Sequence, residues 1–287
     1  MRRLILSLVI ALQTSGAVRA QEHIDEWGYD VKAGGSVPYS KDAKPQTPRG
    51  TGSVGADIVR DVFEEMPYQL SKPVVESGKV YPLVVCLHGA AGRGTDNQAR
   101  GIEAYQVLGT PSVQQKHPSF LLAPQCAVGF QWVDTPWAKG GYNLEKVPES
   151  AYMKKLYALI LRVMETQPVD KTRVYVTGQS MGGFGTWDIC LRYPELFAAA
   201  IPICGGGSPD HAARIKDLPV RFFHGAQDKV VPVSASREME AALKAAGNRV
   251  FLYTELPQGG HSIMREVWQT PGLVDWLFAQ KRAVGSK

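Results

Sequence analysis

The 287-residue sequence predicts an α/β fold, with a mostly parallel central sheet flanked by helices on both faces. Three observations carry this expectation. The apolar runs Leu83-Val84-Val85-Cys86-Leu87 and Val174-Tyr175-Val176 lack the alternation of a half-exposed sheet and suit strands covered on both sides. Tyr152, Met153, Leu156, Leu159, Ile160, Val163 and Met164 recur at helical spacing and form a core stripe. Finally, residues 173–187 read as a buried strand, a sharp turn at Ser180 and the start of a helix. Gly178 and Gly182 stand two residues before and after Ser180, where strand and helix backbones cross too closely for a Cβ. That strain holds the serine hydroxyl out of the turn at the top of the sheet.

From the N-terminus, residues 1–20 carry Arg2 and Arg3, an uncharged stretch that is apolar in its first half, and Val18-Arg19-Ala20 ahead of Gln21. This is the pattern of a secretory signal peptide, too short in its apolar part for a stable span. The expected location is secreted or periplasmic, with no membrane attachment after cleavage. Loss of Arg2, Arg3 and Arg19, and of no acid, lowers the formal charge from +5 to +2. So balanced a chain offers no electrostatic case for nucleic acid. Residues 21–57, with Gly34-Gly35-Ser36, Lys44-Pro45 and Gly50-Thr51-Gly52-Ser53, read as a flexible N-terminal segment. Residues 58–287 then form one domain with a substantial core.

Within that domain an early strand is expected at 68–70, followed by the run 83–87, bounded by Pro82 and Gly89. His88-Gly89-Ala90-Ala91-Gly92 follows at its carboxyl end, and a loop, Gly92-Arg93-Gly94-Thr95-Asp96-Asn97, lies beyond. A strand at 120–123 leads to an aromatic loop containing Trp132 and Trp137, and Pro148 is expected to open the next helix. After the helix beginning near Ser180, which Pro194 stops, strands are expected at 198–203, 220–223 and 249–256. A helix at 234–246 ends before Gly247, and a final helix over 263–280 is interrupted near Pro271-Gly272. Between Cys204 and Leu218 there is room only for a short helical piece, so no large lid domain covers the site.

Export would allow Cys86, Cys126, Cys190 and Cys204 to pair. The spacing favours four free, mostly buried thiols, with one bridge as the alternative. Strands ending near Cys126 and Cys204 should be separated by two others, too far for the roughly 4.4–6.8 Å Cα distance of a disulfide. None of the four has metal-ligand spacing.

The chemistry follows from chain order. Asp228 lies on the loop after strand 220–223, in His224-Gly225-Ala226-Gln227-Asp228, and His261 follows Gly259-Gly260 after the last strand. The order Ser180, Asp228, His261 is the one used by α/β hydrolases. The residues 81–89, 178–187, 224–232 and Gly260-His261 resemble secreted α/β-hydrolase esterases of the group labelled predicted peptidases. That group is related to polyhydroxybutyrate depolymerase and feruloyl esterase catalytic domains and, more distantly, to prolyl oligopeptidase hydrolase domains. The resemblance covers roughly residues 66–280 and implies an α/β-hydrolase fold, a Ser-His-Asp triad and no cofactor or metal. It implies an oxyanion hole built from the amides of Ala90 and Met181, and loop-buttressing roles for His88 and His224. Substrate contacts are expected at Trp132, at Gln179 beside the serine, and at Arg93 and Asn97, where loop fixation is the competing role. The expected activity is cleavage of carboxylic esters, on carbohydrate-linked or polymeric substrates reached from the surface. A prolyl oligopeptidase-like peptidase and an inactive binding protein on a hydrolase fold are the alternatives.

Overall fold

The computed structural model describes residues 35–36, 57–99 and 102–283. The expected signal peptide lies outside these residues, as does most of the segment 21–57. In chain order the strands are β1 (Gly35–Ser36), β2 (Asp57–Phe63), β3 (Met66–Lys72), β4 (Tyr81–Leu87), β5 (Phe120–Pro124), β6 (Val169–Gln179), β7 (Ala199–Ile203), β8 (Val220–Gly225) and β9 (Phe251–Leu256). In space they form one sheet in the order β1-β9-β8-β7-β6-β4-β5-β3-β2. All pairs from β1 to β5 are parallel, and β3 and β2 add an antiparallel edge. This is the α/β-hydrolase arrangement.

Strand β4 shows why its sequence is apolar at every position. Leu83, Val85 and Leu87 face one hydrophobic cluster, while Val84 and Cys86 face the other. Each face is covered by its own helices. On one side pack α3 (Ala151–Thr166), α4 (Met181–Arg192) and α5 (Ser234–Ala245); on the other pack α1 (Glu103–Leu108), α2 (Pro111–Lys116), α6 (Met264–Trp268) and α7 (Leu273–Ala279). Burying each large apolar side chain contributes about 1.5–3 kcal/mol, so a strand covered on both faces anchors the sheet.

Two boundaries differ from expectation for clear reasons. Pro148 does not open α3; Ser150 caps it, its Oγ accepting the Met153 N–H at 3.0 Å. The interrupted last helix is two helices, α6 and α7, with Gly272 at φ +71° between them. The four cysteines are buried and free. As the spacing implied, β6 and β4 lie between β7 and β5, which carry Cys204 and Cys126 at their ends. Among the described residues no helix is long and apolar enough to cross a membrane.

The strand order reverses beside β4: the chain goes from β4 outward to β5, then returns to β6 on the other side. A crevice opens at the carboxyl ends of strands flanking such a switch point. Leu87 of β4 pairs with Gly178 of β6, which brings the loop after β4 against the turn at Ser180.

Candidate active site

Ser180 sits between β6 and α4 with φ +57° and ψ −122°, a strained conformation for a residue with a side chain. The flanking glycines explain how the turn closes. A Cβ on Gly182 would lie 2.3 Å from the Leu87 carbonyl oxygen, and one on Gly178 would lie 2.5 Å from the Gly182 oxygen. Only hydrogen fits at either place, and the turn therefore projects Ser180 into the crevice.

His261 and Asp228 meet it there from the ends of β9 and β8. His261 Nε2 is 2.8 Å from Ser180 Oγ, and His261 Nδ1 is 2.7 Å from Asp228 Oδ2. An ionised carboxylate only accepts, so Nδ1 carries the proton and Nε2 presents its lone pair to the serine hydroxyl. The Asp228 side chain is fully buried. Burial alone would raise its carboxyl, but bonds from His224 and His261 and from the amides of Val230 and Val231 outweigh this. They hold it well below the usual carboxylate range. The His261 imidazole is thus oriented by an anion that stays ionised out of contact with water.

Two amides are available for negative charge on a substrate oxygen. Met181 is the first residue of α4, and Ala90 the first residue of a short 3-10 turn after β4 (Ala90–Gly92). An amide at that position has no acceptor within its own helix, and the partial positive charge of the helix start favours an anion. A Cβ on Gly89 would lie 3.6 Å from Ser180 Cβ, so the loop bearing Ala90 runs directly beside the nucleophile.

His88 is a brace, as the resemblance implied. Its Nε2 accepts the Cys126 N–H at 2.9 Å, and its Nδ1 donates to the Gly89 carbonyl at 2.7 Å. Burial lowers its proton affinity to about 4, with Arg93 adding to the effect against the Gly89 bond. The imidazole is therefore neutral and ties the loop bearing Ala90 to the end of β5. His224, also fully buried, borders Asp228.

The side chains expected to contact substrate are held by the protein's own groups. Trp132 has no exposed surface; its Nε1 donates to the His88 carbonyl at 3.1 Å and its ring lies edge-on to Tyr152. It is a pillar beneath the loop bearing Ala90, because its indole N–H finds a buried acceptor there instead of solvent. Gln179 is likewise occupied: its Nε2 donates to the His261 carbonyl at 2.6 Å, fixing the loop that carries the base. Arg93 folds back, its Nε on the Ala90 carbonyl at 3.0 Å and its guanidinium 5.8 Å from the Trp137 ring centre. Asn97 bonds through its amide group to the Asp61 carbonyl and through its N–H to Gln125, at φ +55°. Both residues fix the loop.

Gln125 carried no signal in the sequence, and Trp137 belongs to the aromatic loop that the sequence singled out, where Trp132 was the expected contact. Gln125 braces the loop after β4, its Nε2 donating to Gly92 O at 3.2 Å and to Asp96 Oδ1 at 2.9 Å. Trp137, not Trp132, lines an open cleft of about 410 Å³ with Gln131, Asp134, Thr135 and Pro136. Phe130, half exposed, stands on the same loop, with its carbonyl toward Arg93.

Cys204, His224 and Asp228 bring three possible metal-ligand atoms within 4.8 Å of one another. Their hydrogen bonding does not suit a cation. His224 Nε2 faces the acceptors Val231 O at 3.1 Å and Asp228 Oδ2 at 3.3 Å, so it carries a proton there, and the Cys204 thiol, raised by burial, also bonds Asp228. The cluster is a hydrogen-bond network behind the base.

A family model described as phospholipase/carboxylesterase matches residues 137–270, just under half of the chain. Poly(3-hydroxyalkanoate) depolymerase C of Paucimonas lemoignei is 31% identical over 131 residues, 44% of this chain and 28% of that protein. The crystal structure of a thermostable esterase superposes with a TM-score of 0.66 at 34% identity, over 80% of this chain and 64% of that one. The feruloyl esterase module of Clostridium thermocellum, in complex with sinapinate, superposes at 0.61 with 12% identity, over 88% of this chain and 98% of that one, a likeness of fold. The chain thus spans less than two thirds of the depolymerase and of the thermostable esterase.

Proposed function

We propose that this chain is a secreted or periplasmic serine hydrolase that cleaves carboxylic esters through an acyl-enzyme. The observation that carries the reading is the hydrogen-bonded line from Ser180 Oγ through His261 to Asp228 Oδ2, beside two helix-first amides. A serine hydroxyl is a weak nucleophile and needs a base in contact with it. His261 Nε2 takes the Ser180 proton as Oγ attacks the ester carbonyl carbon, and Asp228 stabilises the imidazolium that forms. The carbonyl oxygen gains charge between the amides of Met181 and Ala90, each worth about a hundredfold or more in rate. His261 then gives its proton to the departing alcohol. Water repeats the sequence on the acyl-enzyme and frees the acid.

Support for the reaction class comes from the relatives, an esterase and a polyester depolymerase among them. Support for large or polymeric substrates comes from the short connection between β7 and β8, where the only intervening helix is a 3-10 turn, Pro209–Ile215. Nothing inserted there seals the crevice. Export is supported by the character of residues 1–20.

The test is a parallel hydrolysis screen on the mature protein with short-acyl aryl esters, feruloyl and acetyl xylan esters, a polyhydroxyalkanoate film and a prolyl peptide amide. Esters should be cleaved and the amide should not. Ser180→Ala should lower kcat/KM by at least about a thousandfold. Faster cleavage of the amide would make the chain a peptidase, and activity of Ser180→Ala near wild type would remove the serine from the mechanism.

A further inference from the structure

We propose that His224 is a positioning residue for the reaction, holding the Asp228 carboxylate at the angle from which it orients His261. The inference rests on the ester-hydrolase reading above and adds a fourth side chain to it.

His224 ends β8 and has no exposed surface. Its protonation pattern is fixed by its neighbours. Nε2 lies 3.1 Å from the Val231 carbonyl and 3.3 Å from Asp228 Oδ2, two groups that only accept, so Nε2 carries a proton shared between them. Nδ1 lies 2.7 Å from Ser236 Oγ, whose hydroxyl can donate to the remaining lone pair. Both ring nitrogens are thus partnered, with Nε2 the donor toward Asp228.

Asp228 Oδ2 is therefore bridged between two imidazoles, His261 on the solvent side and His224 on the core side. Oδ1 takes the amides of Val230 at 2.8 Å and Val231 at 3.0 Å. The amides anchor one oxygen, and His224 sets where the other points by limiting rotation of the carboxylate about its Cβ–Cγ bond. Without His224 the carboxylate keeps the Cys204 thiol and the two amides, but Oδ2 loses the imidazole donor opposite His261, and the base then loses orientation toward Ser180. Displacements of about 1 Å in such a line can cost on the order of a hundredfold in rate. A buried histidine often does no more than fill space and satisfy its own ring. Here one ring proton is spent on the oxygen that orients the base.

The experiment compares the full chain with His224→Met, His224→Gln and Ser236→Ala. Active sites are counted by complete reaction with a fluorophosphonate probe, and kcat and KM are measured on a short-acyl aryl ester. Methionine fills the space without a donor; glutamine can present an N–H near the position of Nε2. The expected result is a kcat per titrated site about tenfold or more lower in His224→Met, with KM within about twofold and most of the loss recovered in His224→Gln. A wild-type kcat in His224→Met, or equal loss in His224→Gln, overturns the proposal. If His224→Met does not fold, Ser236→Ala decides, since it removes only the partner of Nδ1. A drop in kcat of about threefold or more at unchanged KM is then expected, and wild-type kcat overturns the proposal. A wild-type protein that neither labels nor hydrolyses esters would instead strike the ester-hydrolase reading, and His224 would lose its proposed role with it.

Discussion

A single hydrogen bond decides what Trp132 is for. Its indole N–H donates to the carbonyl of His88, a residue 44 positions earlier in the chain, and the ring is sealed beneath the loop that offers Ala90. Replacing it with phenylalanine keeps most of the packing and removes that donor. Trp132→Phe should lower unfolding free energy by about 1–3 kcal/mol, the cost of a buried acceptor losing its partner, while leaving KM for esters unchanged. Chemical denaturation and initial rates on one preparation would check both; a raised KM at unchanged stability would return Trp132 to the substrate. The contrast with Ser180 shows what a sequence can disclose. Ser180 was legible because its signal is local: two glycines and a strand-turn-helix pattern force it out of the turn into the crevice. Trp132 and Gln179 were misjudged, and the two roles open to Arg93 and Asn97 were not separable, because a polar side chain near a site looks the same whether its partner is a ligand or a backbone group. Each found the latter, in His88, His261, Ala90 and Asp61 respectively.

At the scale of elements, the edge hairpin carries strain that the site does not require. Strands β2 and β3 are joined by Glu64 and Glu65 at φ +46° and +66°, between the paired residues Phe63 and Met66. Two-residue turns with both φ positive favour Asn-Gly, and side chains such as glutamate are disfavoured there. The double substitution Glu64→Asn with Glu65→Gly should stabilise the chain by about 1 kcal/mol, or about 2–4 °C in Tm for a domain of this size. Hydrolysis should not change, because the turn touches none of Ser180, His261 and Asp228. Thermal melts would show this, and a lowered Tm would mean that the Lys155 ion pair with Glu65 outweighs the strain. The strands themselves were legible from apolar runs, and their ends less so. Capping by Ser150 overrode the proline signal at 148, since a side-chain oxygen that satisfies an orphan amide fixes a helix start more firmly than a ring that merely tolerates one.

For the whole molecule, the buried titratable groups set how the fold responds to acid. In the native state His88 stays neutral down to about pH 4, whereas in the unfolded chain it takes up a proton near its ordinary 6.5. Between those values the unfolded state binds more protons, so stability falls as the pH is lowered. The contribution is intact above about pH 6.5 and reduced by up to about 3 kcal/mol near pH 4. Asp228 and Asp170 act in a lower window, below about pH 4, because their native carboxyls are depressed and the stability they give is lost only on protonation. Urea unfolding at pH 7 and pH 4.5 should show the loss in wild type and a flatter dependence in His88→Asn. An equal slope in both would place the acid sensitivity elsewhere.

The switch point beside β4 also governs when activity can exist. Residues 88–90, 180, 228 and 261 stand at the ends of four strands joined to one another only through parallel pairings distant in sequence. Such pairings carry high contact order and form late, since the entropy of closing long loops must be met before they are rewarded. No hairpin or single βα unit contains even two members of the triad. On the ester-hydrolase reading proposed above, catalysis is therefore an all-or-none property of the closed sheet: a nascent or half-folded chain would have a serine but no enzyme.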